Sequence, residues 1–307
     1  MIKNKNHTFG FSLIEILATL FIISILLTIS FFGFSSVIEM SKMNTTKNNL
    51  RQLSLAWQQY AYSNKNSLLP GFLDPLTQKK WKIEFPTPFH SNLILPPYPN
   101  FGESDQNIAG IWTARIAHHL GDLKLLNQHQ TKKNPTDAFA KALLWAEEPT
   151  FALNGYYLGG FWFTRDNRSS HFFNNTQTLD GNKITVVAKK LSQIKKPDLL
   201  ISFVPAVKTE IGSFNLLQKN LNHTYLTTPR IFNSRQVWSY ETNDHKINIE
   251  SNTHGIPFSM GFKKIPYVTC AGNSKTISPI DINNQKLWIP GAKEIQDIPA
   301  YDFTHYD

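Results

Sequence analysis

The chain has 307 residues, and its 31 basic and 22 acidic side chains give a formal net charge of +9 at pH 7. Its mean hydropathy of −0.28 excludes a protein with many membrane spans, and its length is sufficient for one large domain with a hydrophobic core. Cys270 is the single cysteine, which excludes an intramolecular disulfide and any zinc or redox site made from two cysteines.

A long apolar run follows a short basic leader at the N-terminus. It extends from Phe11 to about Phe34, and Glu15 is the one charged residue inside it. As a helix the run would rise about 36 Å, which is enough to cross the hydrocarbon core of a bilayer with some tilt. No small-residue cleavage site follows it, so a removable signal peptide is disfavoured. A carboxylate is costly in apolar surroundings, so Glu15 indicates a function.

The leader, the Gly10-Phe11 junction and Glu15 five residues after Gly10 together resemble the prepilin signature of the type IV pilin and type II secretion pseudopilin superfamily. The resemblance implies that a prepilin peptidase cuts after Gly10 and N-methylates Phe11. It also implies that Glu15 pairs with the N-terminal amine of a neighbouring subunit, which would relieve the penalty on a carboxylate in apolar surroundings. A plain signal-anchor helix would explain the apolar run but neither the junction nor Glu15.

The same resemblance implies the partners and the location of the chain. The partners are the prepilin peptidase, other pilin or pseudopilin subunits, an inner-membrane assembly platform, and membrane lipid before assembly. The chain would be a single-pass protein of the inner (cytoplasmic) membrane with its C-terminal domain periplasmic or extracellular, or part of a surface filament. Pilus and secretion pseudopilus, and major and minor subunit, remain open alternatives.

The helix is predicted to continue beyond the apolar run. Apolar residues share one stripe at helical spacing, namely Met43, Leu50, Leu53, Trp57 and Tyr60. The helix should end near 64–67, ahead of Pro70-Gly71. The expected domains are a leader (1–10), a transmembrane half (11–34) and an amphipathic half (35–64) of the helix, and an extracytoplasmic head (65–307).

The head is predicted to combine short helices with a sheet. Seven prolines within 70–100 indicate an extended connector. A helix is expected at 108–121, with Gly121 as its C-terminal cap, and another at 134–148, ending before Pro149. Short β-type runs follow at 156–163, 183–188, 199–204, 236–241, 246–250, 265–271 and 275–280. We therefore predict an α+β fold in which the long N-terminal helix packs on a head with a mostly antiparallel sheet.

The head also resembles, more distantly, the large prepilin-like proteins of the planctomycete and lentisphaera type. The residues that carry this resemblance are Trp112 in a helix, the segment Asn154–Gly160, His254-Gly255, and Tyr267–Gly272. Ala271 stands where those proteins carry an aspartate.

No residue pattern indicates catalysis, a cofactor or a metal centre, so the chain is not predicted to be an enzyme. Cys270 lies in an apolar run and is interpreted as a buried, inert thiol. His118 and His119 are adjacent and cannot easily share a metal ion. The acidic tail, with Glu294, Asp297, Asp302 and Asp307, lacks the EF-hand spacing of a calcium loop. The alternative function is a membrane-anchored binding module or enzyme outside any filament.

The positive charge is distributed as lysine pairs. These are Lys79-Lys80, Lys132-Lys133, Lys189-Lys190, Lys195-Lys196 and Lys263-Lys264. We favour a solvated basic surface, with contact to nucleic acid or acidic envelope polymers as the alternative. No basic stripe lies on a recognisable recognition element, so no specific nucleic-acid partner is predicted.

Overall fold

A computed structural model gives the fold of most of the chain. It describes residues 12–81, 110–126, 146–165, 168–171, 176–179, 182–208, 212–215, 222–227, 238–240, 246–249 and 255–293. The chain divides into two compact units, Met1–Thr45 and Thr46–Asp307. The fold is α+β, with a long N-terminal helix and a mostly antiparallel sheet, as the sequence predicts.

The long helix, α1, runs from Leu13 to Ser63. It ends where Lys65 and Asn66 take left-handed backbone angles, with φ of 55° and 62°. A left-handed residue stops an α-helix because it turns the chain away from the helical path. The end predicted near 64–67 is therefore confirmed.

In the first unit, the described apolar side chains of α1 are exposed. Leu13, Ile14, Leu17, Leu20 and Phe21 keep between 61% and 81% of their surface accessible. Hydroxyl groups of this stretch donate to carbonyls of the preceding turn, so they are satisfied within the helix. In the described part of the chain, no helix is both long enough and apolar enough to cross a membrane.

In the second unit, the last turns of α1 belong to the core of the head. Leu50, Leu53 and Trp57 are fully buried, which confirms the stripe predicted for this part of the helix. Gln58, on the same side of the helix as Ser54, is half-buried. Its Nε2 donates to the carbonyl of Cys270 at 2.8 Å, and the Ser54 hydroxyl one turn earlier donates to that of Thr269 at 3.2 Å. Two polar side chains thus fix the helix to the end of one strand.

Two short α-helices, thirteen strands and five 3₁₀ turns make up the other described elements of the head. The helices are α2 (Pro75–Trp81) and α3 (Trp112–Ile116). The strands are β1 (Phe72–Leu73), β2 (Phe151–Leu153), β3 (Phe161–Arg165), β4 (Arg168–His171), β5 (Thr176–Leu179), β6 (Asn182–Thr185), β7 (Ile201–Val207), β8 (Gly212–Asn215), β9 (Trp238–Tyr240), β10 (Lys246–Ile249), β11 (Ile256–Pro257), β12 (Ile265–Thr269) and β13 (Ser274–Ile277).

Strand β7 is the centre of the largest sheet. The order is β11-β7-β12-β13, with β2 also paired to β7, and every pair is antiparallel. All seven residues of β7 are buried, as expected for a strand covered on both faces. The smaller sheets are β1-β3-β4, β8-β10-β9 and the hairpin β5-β6. Among the described strands, β1 with β3 is the parallel pair.

Large aromatic side chains fill the core of the head. Trp57, Trp112, Trp288, Phe151 and Phe203 are all below 2% exposed. The ring centroids of Trp112 and Phe203 lie 5.3 Å apart, a favourable distance for an aromatic pair. The indole nitrogens of Trp112 and Trp288 donate to the carbonyls of Tyr225 and Ile282. Burial of these rings therefore leaves neither of those two donors unsatisfied.

The proline-rich segment is not wholly extended as predicted. Helix α2 occupies part of it, with Pro75 as its first residue. The Asp74 carboxylate accepts from the backbone N–H of Thr77 at 2.8 Å and from that of Thr164 at 3.0 Å. Asp-Pro is a favourable helix start, because the carboxylate caps the first turn and proline lacks an N–H that would need a partner. Residues 82–100 lie outside the described part.

Two further element predictions differ from the structure. The helix expected at 108–121 is α-helical over Trp112–Ile116 and ends in a 3₁₀ turn, Ala117–His119, so Gly121 is not its cap. The strand expected at 156–163 begins at Phe161, because Gly159 and Gly160 have φ of 80° and 88°. A Cβ at Gly159 would overlap the carbonyl of Leu69. The helix expected at 134–148 lies almost entirely outside the described residues.

Asn154 joins three segments of the core. Its backbone N–H donates to Ser202, and its side-chain amide donates to the carbonyls of Ile201 at 3.0 Å and Trp288 at 2.9 Å. The residue is fully buried. One amide therefore satisfies carbonyls on β7 and on the segment after β13, which would otherwise lose these donors inside the core.

We expect Asn154→Ala to lower the free energy of unfolding by about 2–4 kcal/mol, because it removes two buried donors. Urea denaturation of the full chain in nonionic detergent measures the change. Asn48, exposed on α1, supplies the control, and Asn48→Ala should shift stability by less than about 0.5 kcal/mol. Equal effects of the two substitutions would contradict the role given to Asn154.

Candidate functional site

The first turn of α1 contains a reciprocal pair of hydrogen bonds between Ser12 and Glu15. The Ser12 backbone N–H donates to Glu15 Oε2 at 2.8 Å, and the Glu15 backbone N–H donates to Ser12 Oγ at 3.3 Å. This is a capping box, in which the residue before the helix and the third residue inside it satisfy each other's N–H groups. Glu15 is thus held at the helix start by its own turn.

The position of Glu15 is also favourable electrostatically. The first N–H groups of a helix lack intrahelical acceptors and carry a partial positive charge, which stabilises a carboxylate in the first turn. Glu15 is the acidic residue of the first turn of α1, and both Ser12 and Glu15 are exposed. One carboxylate oxygen, Oε2, is engaged with Ser12. A carboxylate has further lone pairs, so Glu15 can accept from a second donor without leaving the cap.

Of the three site residues predicted from sequence, Glu15 falls in the described part of the chain. Gly10 and Phe11 lie outside it. Ser12 is the residue that the sequence reasoning missed. The signal that finds it is the spacing Ser-x-x-Glu directly before an apolar helical run, which Ser12 and Glu15 match.

In the part of the chain that the structure describes, the remaining candidates do not form a reactive or metal-binding group. Burial raises the pKa of the Cys270 thiol well above its ordinary value, so the reactive thiolate is disfavoured at neutral pH. His119 packs edge-on against Tyr60, with centroids 5.8 Å apart. Within the described residues, no three His, Cys, Asp or Glu side chains are placed to hold a metal ion. The acidic tail lies outside those residues.

A comparison with protein families identifies the N-terminal segment. Residues 5–31 match the family model of the prokaryotic N-terminal methylation motif. The N-terminus is a prepilin-type methylation motif. This confirms the resemblance drawn from Gly10, Phe11 and Glu15, supports a prepilin-like chain of the pilin or pseudopilin kind, and favours a structural subunit over an enzyme. No curated protein and no solved structure matches the chain.

We expect the capping box to determine how firmly α1 begins. Ser12→Ala and Glu15→Ala each remove one of the two bonds and should destabilise the first turn by about 1 kcal/mol. Glu15→Gln should preserve it, because glutamine also serves at this position. The carbon-13 Cα shifts of residues 13–16, measured on the full chain in nonionic detergent, should move toward coil values in the two alanine variants.

Thr19→Ala is the control for this measurement. Its hydroxyl donates to the Ile16 carbonyl within the helix and has no capping role. Two results would contradict the assignment of a capping box. One is unchanged Cα shifts in Ser12→Ala, and the other is a movement toward coil values in Glu15→Gln as large as that in Glu15→Ala.

Proposed function

We propose that the chain is a prepilin-like structural subunit that is cleaved after Gly10, N-methylated at Phe11 and assembled through α1 into a type IV pilus or type II secretion pseudopilus. Before assembly α1 anchors it in the inner membrane, with the head on the periplasmic or extracellular side. The observation that carries the proposal is the methylation motif at residues 5–31. The partners are the prepilin peptidase, the assembly platform and other pilin-like subunits.

The exposed apolar face of the first unit supports assembly through α1. Its leucine, isoleucine and phenylalanine side chains between residues 13 and 27 are more than two-fifths exposed. Continuous apolar surface of this kind calls for lipid or another helix to cover it. Lipid would cover it in the membrane, and the same helix of neighbouring subunits would cover it in the filament.

The geometry of Glu15 supports its role in subunit registry. After cleavage the N-terminal amine belongs to Phe11, the residue directly before Ser12. An ammonium from a neighbouring copy could bind the free lone pairs of Glu15 while Ser12 holds the other side of the carboxylate. In apolar surroundings this charge pair would be favoured strongly over an unpaired carboxylate. Subunits in the wrong register would leave the carboxylate unpaired.

Processing is tested by the mass of the mature chain. Co-expression with a prepilin peptidase should yield a protein that begins at Phe11 and carries the mass of one additional methyl group. Gly10→Val should block the cut because it places a branched side chain at the cleavage position. A chain that still begins at Met1 in the presence of active peptidase would contradict the proposal.

The role of Glu15 is tested by separating its charge from its capping function. Glu15→Gln keeps the capping box but removes the charge, so we expect at least about a tenfold loss of crosslinked subunit pairs, corresponding to about 1.4 kcal/mol. Glu39→Gln makes the same change at an exposed carboxylate of α1 and should assemble normally. Normal assembly of Glu15→Gln would exclude charge pairing and favour the alternative of an anchored module outside any filament.

A further inference from the structure

The fold brings together lysines that are distant in the sequence. Lys65 follows α1, and the segment after it lies along the segment that carries Lys189-Lys190 and Lys195-Lys196. The Leu68 N–H donates to the carbonyl of Lys189 at 2.8 Å, and the Leu191 N–H donates to that of Asn66 at 3.0 Å. A 3₁₀ turn, closed by a bond from Ile194 N–H to the Leu191 carbonyl at 3.0 Å, leads to the second pair.

Four of these lysines form what we call the lysine patch: Lys65, Lys190, Lys195 and Lys196. All four are exposed, and within the described residues none has an ion-pair partner. Neither contributing segment, 60–73 or 182–197, contains an Asp or Glu. The next carboxylate, Asp198, binds the Asn273 side-chain amide at 2.8 Å. The described residues therefore supply no carboxylate that forms an ion pair with any of the four ammonium groups.

The backbone under the patch is held in place. The Gln193 side-chain oxygen accepts from the backbone N–H groups of Lys189 and Lys190 at 2.6 and 3.0 Å. The Lys189 ammonium lies 4.6 Å from the centre of the Trp162 ring, a cation–π contact that directs this side chain to the protein instead of to solvent. The four exposed ammonium groups thus project from a fixed backbone, which reduces the entropy lost when they bind a partner.

We propose that the lysine patch binds double-stranded DNA through its phosphates, without regard to base sequence. Lysine contacts a phosphate as a point charge. The patch contains no arginine, whose planar guanidinium could form two hydrogen bonds to the edge of a base. Duplex DNA carries about one negative charge per 1.7 Å, and each neutralised phosphate releases condensed counterions. Four cations carried by two neighbouring segments gain most from a polymer of such charge density. This activity goes beyond filament assembly and does not depend on it.

The salt dependence of binding gives a quantitative test. We would measure fluorescence anisotropy of two labelled duplexes of unrelated sequence with the full chain in nonionic detergent. Four phosphate contacts predict that log K falls with log salt with a slope of about −3.6, equal for both duplexes. Lys190→Gln combined with Lys196→Gln should reduce the slope to about −1.8, since two contacts are lost.

The control is Lys263→Gln combined with Lys264→Gln, an exposed lysine pair outside the patch that makes the same change in net charge. It should leave the slope unchanged, and thermal melting of both variants should match that of the unsubstituted chain. Equal loss in the two double variants would overturn the proposal, because diffuse net charge would then explain binding. Tighter binding to phosphatidylglycerol vesicles or to an acidic polysaccharide than to duplex DNA at the same salt would also overturn it.

Discussion

The head depends on the burial of the last turns of α1 in its core. Leu50, Leu53 and Trp57 supply apolar surface that is wholly removed from water, which is the dominant favourable term in folding. Ser54 and Gln58, on the same side of the helix, donate to carbonyls at the end of β12. Apolar burial provides the stability, whereas these two directional bonds fix which turn of the helix meets which strand.

The same core accepts polar groups at a cost. Both N–H donors of the Asn154 side chain reach carbonyls, whereas its Oδ1 is buried without a hydrogen-bond partner. Arg115 is buried, and although one guanidinium nitrogen donates to the Pro70 carbonyl, Nε and Nη1 have no hydrogen-bond partner. Burial lowers the pKa of Arg115 from 12.5 to about 10, so the group stays charged at neutral pH while its desolvation opposes folding. With no disulfide available, aromatic packing has to outweigh such terms.

At the other end of α1, Glu15 completes the helix start, and it is the residue for which we propose a partner in a neighbouring subunit. The capping box explains why a carboxylate is tolerated at the start of an apolar helix, because the helix itself supplies donors and a favourable dipole. The methylation motif explains why the residue before Ser12 would carry a new amine. The cap orients the carboxylate, and the amine of a neighbour is the partner that we propose for its remaining lone pairs.

The sequence by itself determined the features that depend on local spacing. The extent of α1 follows from helical periodicity and the absence of proline, the methylation motif is linear, and the buried strands have β-type composition. Two helix starts, Ser12 with Glu15 and Asp74 with Pro75, are equally local, because the residues of each lie within three positions of one another. The seven prolines within 70–100 favoured an extended connector over the helix that begins at Pro75.

Only the tertiary structure decided the features that depend on residues far apart in the chain. The strand predicted at 156–163 starts late because Gly159 passes against the carbonyl of Leu69. Gln58 is a core contact because β12 brings the Cys270 carbonyl to it. The lysines look dispersed in sequence, yet backbone hydrogen bonds place the segment that follows Lys65 beside Lys190. The local pattern of residues fixes the conformation of a segment. Which backbones touch, and which charged side chains lie near each other, depends on the segments that the fold places side by side.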